Sequence, residues 1–166
     1  LLKPSSMNKI QIIVCGKSIG NMSGVEYNQY KKNLIPVLRE TYSKIEAKND
    51  IVIIEGAGSP AEINIKEEDI SNFAMARIAD APVILVADID RGGVFASIYG
   101  TIMLLKEEDR KRIKGIVINK FRGNKEVLKS GFDIIENLTG VKTLGVIPYT
   151  DIDIEDEDSL SEKYKS

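Results

Sequence analysis

The sequence lacks histidine and tryptophan, and Cys15 is its single cysteine. Without histidine, this chain cannot supply a Ser-His or Cys-His nucleophile pair or a histidine-dependent metal site. A single cysteine excludes an internal disulfide. Catalytic chemistry within this chain therefore has to come from carboxylates, lysines, arginines, backbone amides and bound ions.

The sequence also lacks a strong charge of either sign and a long apolar run. Its formal net charge of −2 gives no electrostatic reason to expect nucleic acid or an anionic membrane as partner. No apolar run approaches the roughly 20 residues of a membrane span, and no signal-peptide pattern is present. The 166 residues are enough for one domain with a real core, and we expect a cytoplasmic protein.

Continuous apolar runs predict a parallel sheet. Residues 51–54 are four consecutive β-branched residues, typical of a strand that is buried on both faces. Similar runs alternate with helical patterns, which favours an α/β fold with right-handed crossovers. The further strands are predicted at 83–87, 115–118 and 143–147, and the helices at 70–79 (capped by Asp69), 94–105 and 125–138 (stopped by Gly140).

The first fifty residues predict a hairpin and a long helix. Residues 10–15 are predicted to form a strand that returns at Gly16-Lys17. Ser23 with Glu26 forms a capping box for a helix towards residue 47, and Pro36 predicts either a kink or a late first turn within it. The Gly16-Lys17-Ser18 triplet matches the end of the P-loop pattern GxxxxGK[ST], but Gln11 replaces its first glycine and no helix follows. We expect no phosphate cradle there. The opening Leu1–Ser6 looks like a strand cut open, which predicts a fragment of a longer chain.

Polar residues follow the predicted strands at their carboxyl ends, where open α/β sheets bind ligands. Carboxylates there can hold Mg²⁺ together with phosphates, and the amides that open a helix after two glycines attract anions. An asparagine offers the donor and the acceptor that adenine recognition requires. The sequence thus predicts an ATP and Mg²⁺ site from Glu55, Asp88, Asp90, Arg91, Gly92, Gly93, Asn119, Lys120, Arg122, Pro148 and Tyr149.

Several long segments carry a resemblance to a known family. The sequence resembles the cobyric acid synthase family of cobalamin-biosynthesis glutamine amidotransferases, which have a dethiobiotin synthetase-like ATP-binding domain. The resemblance covers nearly the whole chain. Its segments are KPSS (3–6), GNMS (20–23), EGAGSPAEIN (55–64), ADAPVILVADIDRGGVFASIYGT (79–101), GIVINKFRG (115–123) and LGVIPYTDIDIEDEDSL (144–160).

The resemblance implies a fold, a domain division and a reaction. The fold would be a three-layer α/β parallel sheet with helices on both faces, of the P-loop NTPase type, incomplete because the N-terminal strand and the P-loop are missing. Residues 1–150 would be a partial synthetase domain, and 151–166 an acidic linker toward an absent glutaminase domain of the same polypeptide. The family uses ATP and Mg²⁺ to activate carboxylates of adenosylcobyrinic acid a,c-diamide, a corrinoid, as acyl phosphates, which ammonia from glutamine converts to amides. We expect this fragment alone to be inactive.

The resemblance also assigns roles to individual residues. Glu55 would bind Mg²⁺, with Asp88 as a second acid, and Lys3 would sit near the transferring phosphate. Asp90 and Arg91 would act at the phosphate–substrate junction. Substrate or phosphate contacts would come from Ser6, Asn64, Gly92 and Gly93, and nucleotide contacts from Asn119, Lys120, Arg122, Pro148 and Tyr149.

Two alternatives stay open at this point. One is a non-catalytic, nucleotide-sensing module of the same fold, and the other is a related enzyme, either dethiobiotin synthetase or a,c-diamide synthase. A P-loop upstream and a glutaminase domain downstream in the full-length protein would favour the amidotransferase. A homodimer is likewise left open.

Overall fold

The computed structural model describes residues 2–6, 9–62 and 70–151, which fall into two compact units. One unit includes Leu1–Val37, and the other is Leu38–Thr150. The expected helix cap Asp69, the expected contact residue Asn64 and the acidic segment after 151 lie outside the described residues. The division into 1–150 and 151–166 stays a prediction.

The first unit contains an antiparallel sheet of three strands: β1 (Leu2–Ser6), β2 (Lys9–Val14) and β3 (Lys17–Met22). Cys15 and Gly16 connect β2 to β3 with φ angles of 49° and 78°, as a two-residue hairpin turn with the right twist requires. The predicted hairpin is confirmed. Lys17 and Ser18 belong to a strand, so the partial P-loop match has no structural counterpart.

The predicted capping box opens the first helix. The Ser23 hydroxyl accepts a hydrogen bond from the Glu26 amide (3.3 Å), and the Glu26 carboxylate accepts one from the Ser23 amide (2.8 Å). The helical region then has three parts: α1 (Gly24–Tyr30), a 3₁₀ turn (Lys31–Leu34) and α2 (Ile35–Glu46). The break directly before Pro36 confirms the predicted irregularity, since proline fits the first turn of a helix and not its interior.

The second unit is built on a parallel sheet in the order β4-β5-β6. The centre of β5 is fully buried at Ile116 and Ile118, which pack in one cluster with Ile98, Ile102 and Ile135 of the covering helices. The predicted α/β class with a parallel sheet and flanking helices is confirmed. No described helix combines the length and the apolar character needed to cross a membrane. The elements are α3 (Phe73–Ile78), β4 (Val83–Asp88), α4 (Val94–Leu104), α5 (Glu107–Arg110), β5 (Ile113–Phe121), a 3₁₀ turn (Lys125–Leu128), α6 (Lys129–Thr139) and β6 (Thr143–Pro148).

Helices α4 and α6 pack closely where α6 carries Gly131. A Cβ atom at Gly131 would lie 2.4 Å from the ring of Phe95, so glycine is what allows this approach. The Phe95 ring meets Phe132 edge to face, with 6.4 Å between the centroids. Helix α6 ends at Gly140 with φ 71°, which confirms the predicted stop.

The prediction of a buried strand at 51–54 is wrong. Residues 51–57 have no regular secondary structure, and Ile51 and Ile53 are 80% and 91% exposed. A strand needs a neighbour to take up its backbone hydrogen bonds. Within the described residues, β4 pairs only with β5, and no strand lies along its other edge. The apolar run therefore has β propensity without a ladder to join, because propensity depends on packing against neighbouring strands.

Candidate functional site at the strand ends

The register of the parallel sheet brings the carboxyl ends of its three strands to one edge. Asp88 on β4 is paired with Asn119 on β5, and Phe121 is paired with Pro148 on β6. Pairing continues past the strands, because the Ile89 amide donates to the Asn119 carbonyl (3.1 Å) and the Tyr149 amide donates to the Phe121 carbonyl (2.9 Å). The polar residues after β4, β5 and β6 are thus neighbours.

Five of these residues form a connected group, which we call the strand-end cluster: Asp88, Asp90, Lys120, Arg122 and Tyr149. Lys120 Nζ donates to Asp88 Oδ2 (2.7 Å), and Arg122 Nε donates to Asp90 Oδ1 (3.0 Å). The Arg122 guanidinium carbon lies 3.3 Å from the centroid of the Tyr149 ring. All five are partly exposed, with side-chain exposures of 37–57% for the charged four, so a ligand in solvent can reach them.

Asp88 holds two segments of the cluster in place. Besides the Lys120 ammonium, its carboxylate accepts a hydrogen bond from the Asp90 amide at 2.8 Å. These two donors, with a smaller contribution from the Arg91 charge, keep the pKa of Asp88 below its usual value. The carboxylate is therefore ionised at neutral pH. It fixes both the start of the loop after β4 and the side chain of Lys120.

A β-bulge at Asn119 and Lys120 shapes the end of β5. Ile118 and Phe121 pair with Val146 and Pro148, so two residues on β5 face one on β6. Lys120 has a φ of 61°, a left-handed conformation that is unfavourable for a lysine, and the Asn119 Oδ1 accepts a hydrogen bond from its amide (2.8 Å). Strained residues of this kind cluster at functional sites. The sequence carried no signal for this bulge, because lysine is not a residue that favours positive φ.

The loop after β4 leads directly into the amino end of α4. Gly92 and Gly93 have φ angles of 77° and 68°, and the Gly92 amide donates to the Ile89 carbonyl at 3.0 Å. Glycine is needed at both positions because L side chains rarely adopt this conformation. The helix starts at Val94, so its first-turn amides and the positive end of its dipole lie next to the cluster in sequence. This arrangement is typical of anion binding when cations lie nearby.

Four expected site residues belong to parts of the chain other than the ends of β4, β5 and β6. Lys3 and Ser6 belong to β1 of the first unit, and Asn64 is outside the described residues. Glu55 follows segment 51–54, which has no regular secondary structure, and no described hydrogen bond or ion pair connects it with Asp88. Within the described ranges, no three acidic or cysteine side chains come together in a group that could hold a metal ion.

Asn72 fixes the glycine segment that follows Glu55. The Asn72 amide group donates to the Ala57 carbonyl at 2.9 Å, and a Cβ atom at Gly56 would lie 2.3 Å from Asn72 Oδ1. A side chain at Gly56 would therefore displace the side chain of Asn72. No sequence pattern pointed to Asn72, which precedes α3 and lies 15 residues after the Ala57 carbonyl that it binds.

Comparison with known proteins gives a consistent set of relatives. A family model described as an AAA domain matches residues 25–155. The cobyric acid synthases of Streptococcus sanguinis and Limosilactobacillus reuteri are 57% identical over 166 residues and 59% identical over 161 residues, which is 100% and 97% of this chain. That of Alkaliphilus metalliredigens is 58% identical over 163 residues, or 98% of this chain. The chain spans 32–33% of the length of these relatives. No solved structure matches it significantly.

Proposed function

The chain belongs to the AAA domain family, and on this premise we propose that it is the nucleotide-binding part of an ATP-dependent ligase that forms amides. The observation that carries the proposal is the strand-end cluster, which places paired acids and cations and an aromatic ring beside the glycine loop that opens α4. Phosphoryl transfer requires mainly positioning and charge neutralisation, which such a group can provide.

The names of the relatives suggest the substrate of the longer protein. Proteins at 55–59% identity to this chain are named cobyric acid synthase. We propose that the full-length protein activates carboxylates of adenosylcobyrinic acid a,c-diamide with ATP and converts them to amides with ammonia from glutamine. A carboxylate oxygen would attack the γ-phosphorus, ADP would leave, and ammonia would then displace phosphate from the acyl phosphate. A glutaminase domain in the same polypeptide would supply the ammonia.

The residues in and around the strand-end cluster have distinct roles in this proposal. Asn119 would hydrogen-bond the adenine edge, and Pro148 with Tyr149 would line the base pocket. Arg91, Lys120 and the amides at Gly92 and Gly93 would neutralise phosphate charge. Lys120 is held by Asp88 at 2.7 Å, so its ammonium is kept in position before a ligand arrives. The catalytic roles of Asp90 and Lys3, and the contacts of Ser6 and Asn64, remain proposals.

The available donor groups fit Mg²⁺ at Glu55 better than at Asp88. Mg²⁺ is usually bound by one or two carboxylates together with phosphate oxygens and water, so a three-acid cluster is not required. Glu55 is exposed and precedes a glycine segment that a phosphate could approach. Both oxygens of Asp88 already accept hydrogen bonds. Bound at Glu55, Mg²⁺ would neutralise charge on the transferred phosphate. Asp88 would then act mainly by holding Lys120 and the loop after β4.

Replacing Glu55 by glutamine in the full-length protein tests this function. We expect Glu55→Gln to abolish ATP-dependent amidation while hydrolysis of glutamine continues, because a neutral amide is a poor Mg²⁺ ligand. Glu108→Gln is the matched control, and we expect it to change neither activity. Glu108 lines a pocket together with Asp80 and Pro82, two residues that precede β4. Near-wild-type amidation by Glu55→Gln would exclude the proposed metal role.

Oxygen transfer tests the reaction class independently of any substitution. With ¹⁸O in the corrinoid carboxylates, the proposed acyl phosphate requires one ¹⁸O atom in inorganic phosphate for each amide that forms. Phosphate without ¹⁸O during active amidation would contradict the acyl phosphate route. A cytoplasmic location and a homodimer also remain predictions.

A further inference from the structure

Arg122 connects the ends of three strands through a single side chain. It follows β5, its Nε donates to Asp90 in the loop after β4, and its guanidinium lies on the ring of Tyr149 after β6. The distance of 3.3 Å from Cζ to the ring centroid is well inside the roughly 6 Å limit of a cation–π interaction.

The two contacts determine the orientation of Tyr149. Its backbone is attached to β5, because the Tyr149 amide donates to the Phe121 carbonyl at 2.9 Å. Arg122 covers one face of the ring, and Tyr149 remains 42% exposed. The bond from Nε to Asp90 holds the guanidinium over the ring, and a planar guanidinium is suited to contact an aromatic face. The ring is therefore ordered before any ligand binds.

The positive charge of Arg122 is already compensated by the neighbouring Asp90 carboxylate. The Asp90 carboxylate, and to a smaller extent Tyr149, raise the pKa of Arg122 above its ordinary value. Lys120 is matched by Asp88 in the same way, so the two cations after β5 pair with the two acids after β4. To bind a phosphate through Nε, Arg122 would lose its hydrogen bond to Asp90, and to move toward an anion it would leave the ring of Tyr149. Its geometry fits support of the ring better than binding of an anion.

We propose that Arg122 is a positioning residue, which holds Tyr149 as a stacking surface for the nucleotide base and ties that surface to the Asp90 loop. This inference rests on the proposed nucleotide site and adds a role for Arg122 that differs from direct nucleotide contact. A base would stack on the face of Tyr149 that Arg122 leaves uncovered. Arg122 would thus affect recognition of the base and leave binding of the triphosphate unchanged.

The test compares variants of the full-length protein with three probes: ATP, GTP and inorganic triphosphate. We expect Arg122→Ala to raise the KM for ATP about tenfold, within the range of cation–π energies, with kcat changed less than twofold. The preference for ATP over GTP should fall, and inhibition by inorganic triphosphate should be unchanged. Arg122→Lys should not restore the KM, since an ammonium lacks the planar group and the Nε donor.

A double-mutant cycle with Tyr149→Leu tests the coupling directly. If Arg122 acts through Tyr149, the double variant will have the same KM as Tyr149→Leu alone. Arg112→Ala is the matched control. Arg112 pairs with Asp80 (2.9 Å), so this ion pair also joins the segments that flank β4 and β5, but at the opposite ends of the strands. Its loss should leave the KM for ATP unchanged.

Three results would overturn the inference. Equal loss of ATP and inorganic triphosphate binding in Arg122→Ala would make Arg122 a phosphate ligand. Tighter ATP binding would mean that its side chain occupies the base position. Additive effects in the double variant would show that Arg122 acts independently of Tyr149. The proposed nucleotide site fails separately, if both Tyr149→Leu and Asn119→Ala leave the KM for ATP unchanged.

Discussion

Substitutions at Lys120 can separate the conformational cost of the β-bulge from the contacts of the lysine side chain. Both Lys120→Ala and Lys120→Gly remove the ion pair with Asp88, so the difference between them reports the backbone alone. At the observed φ of 61°, a Cβ atom costs about 1–2 kcal/mol. Glycine loses roughly 0.5–1 kcal/mol more conformational entropy on folding. The glycine variant should therefore be more stable by roughly 0.5–1 kcal/mol.

The same pair of substitutions at Lys129 is the control. Lys129 also carries an ion pair, to Glu126, but its φ of −55° and ψ of −49° are those of an ordinary helix. Alanine should be favoured there by up to about 1 kcal/mol, because glycine is a poor helix former. The preference between glycine and alanine should thus reverse in sign between the two lysines.

Hydrogen exchange of β5 is the appropriate assay, since it reports the opening of this unit within a longer protein. The expected difference corresponds to exchange about two- to fivefold slower at Ile116 and Ile118 in Lys120→Gly than in Lys120→Ala. Without strain at Lys120, only the entropy cost of glycine would remain, and exchange would be about two- to fivefold slower in the alanine variant. That result would show that the left-handed conformation at Lys120 carries no strain.

Two further predictions concern packing and ionisation. Gly131→Ala should destabilise the second unit by about 1–3 kcal/mol, because its Cβ would lie 2.4 Å from the Phe95 ring. Gly100→Ala is the control and should stabilise the unit by up to about 1 kcal/mol, because a Cβ at Gly100 would have no atom within 4 Å. Hydrogen exchange measures both effects, and equal effects would contradict the close approach of Gly131 to Phe95. The carboxyl ¹³C signal of Asp88 should titrate below the usual pKa, and Lys120→Ala should move the pKa upward, because the Lys120 ammonium is the largest cause of the shift. Because the folded-state pKa is lowered, the stabilisation from this pair is present above the ordinary carboxyl range and is lost as the pH falls through the folded pKa. An unchanged pKa in that variant would exclude the pairing in solution.

Local patterns in the sequence were sufficient to predict most elements of the fold. The capping box at Ser23 and the stop at Gly140 depend on neighbouring residues, and both are confirmed. The strand predicted at 51–54 failed because a strand depends on a neighbour that no local pattern specifies. Its apolar composition was correct for a strand, but Ile53 is 91% exposed.

The site could be predicted only as a set of strand ends. Parallel register follows from the alternation of strands and helices, so the meeting of Asp88 with Asn119 could be expected. The pairing of each acid with a particular cation could not be predicted, because it depends on the bulge at Lys120 and on side-chain geometry. The contact of Arg122 with the ring of Tyr149 could not be predicted from the sequence for the same reason.

Photoaffinity labelling with an ATP analogue that carries an azide on the base tests the central claim most directly, namely that the nucleotide binds at the carboxyl ends of β4, β5 and β6. The label in the full-length protein should appear on peptides that contain residues 119–122 or 148–150, and excess ATP should prevent it. Labelling that ATP prevents, but that lies only on peptides without these residues, would contradict the claim.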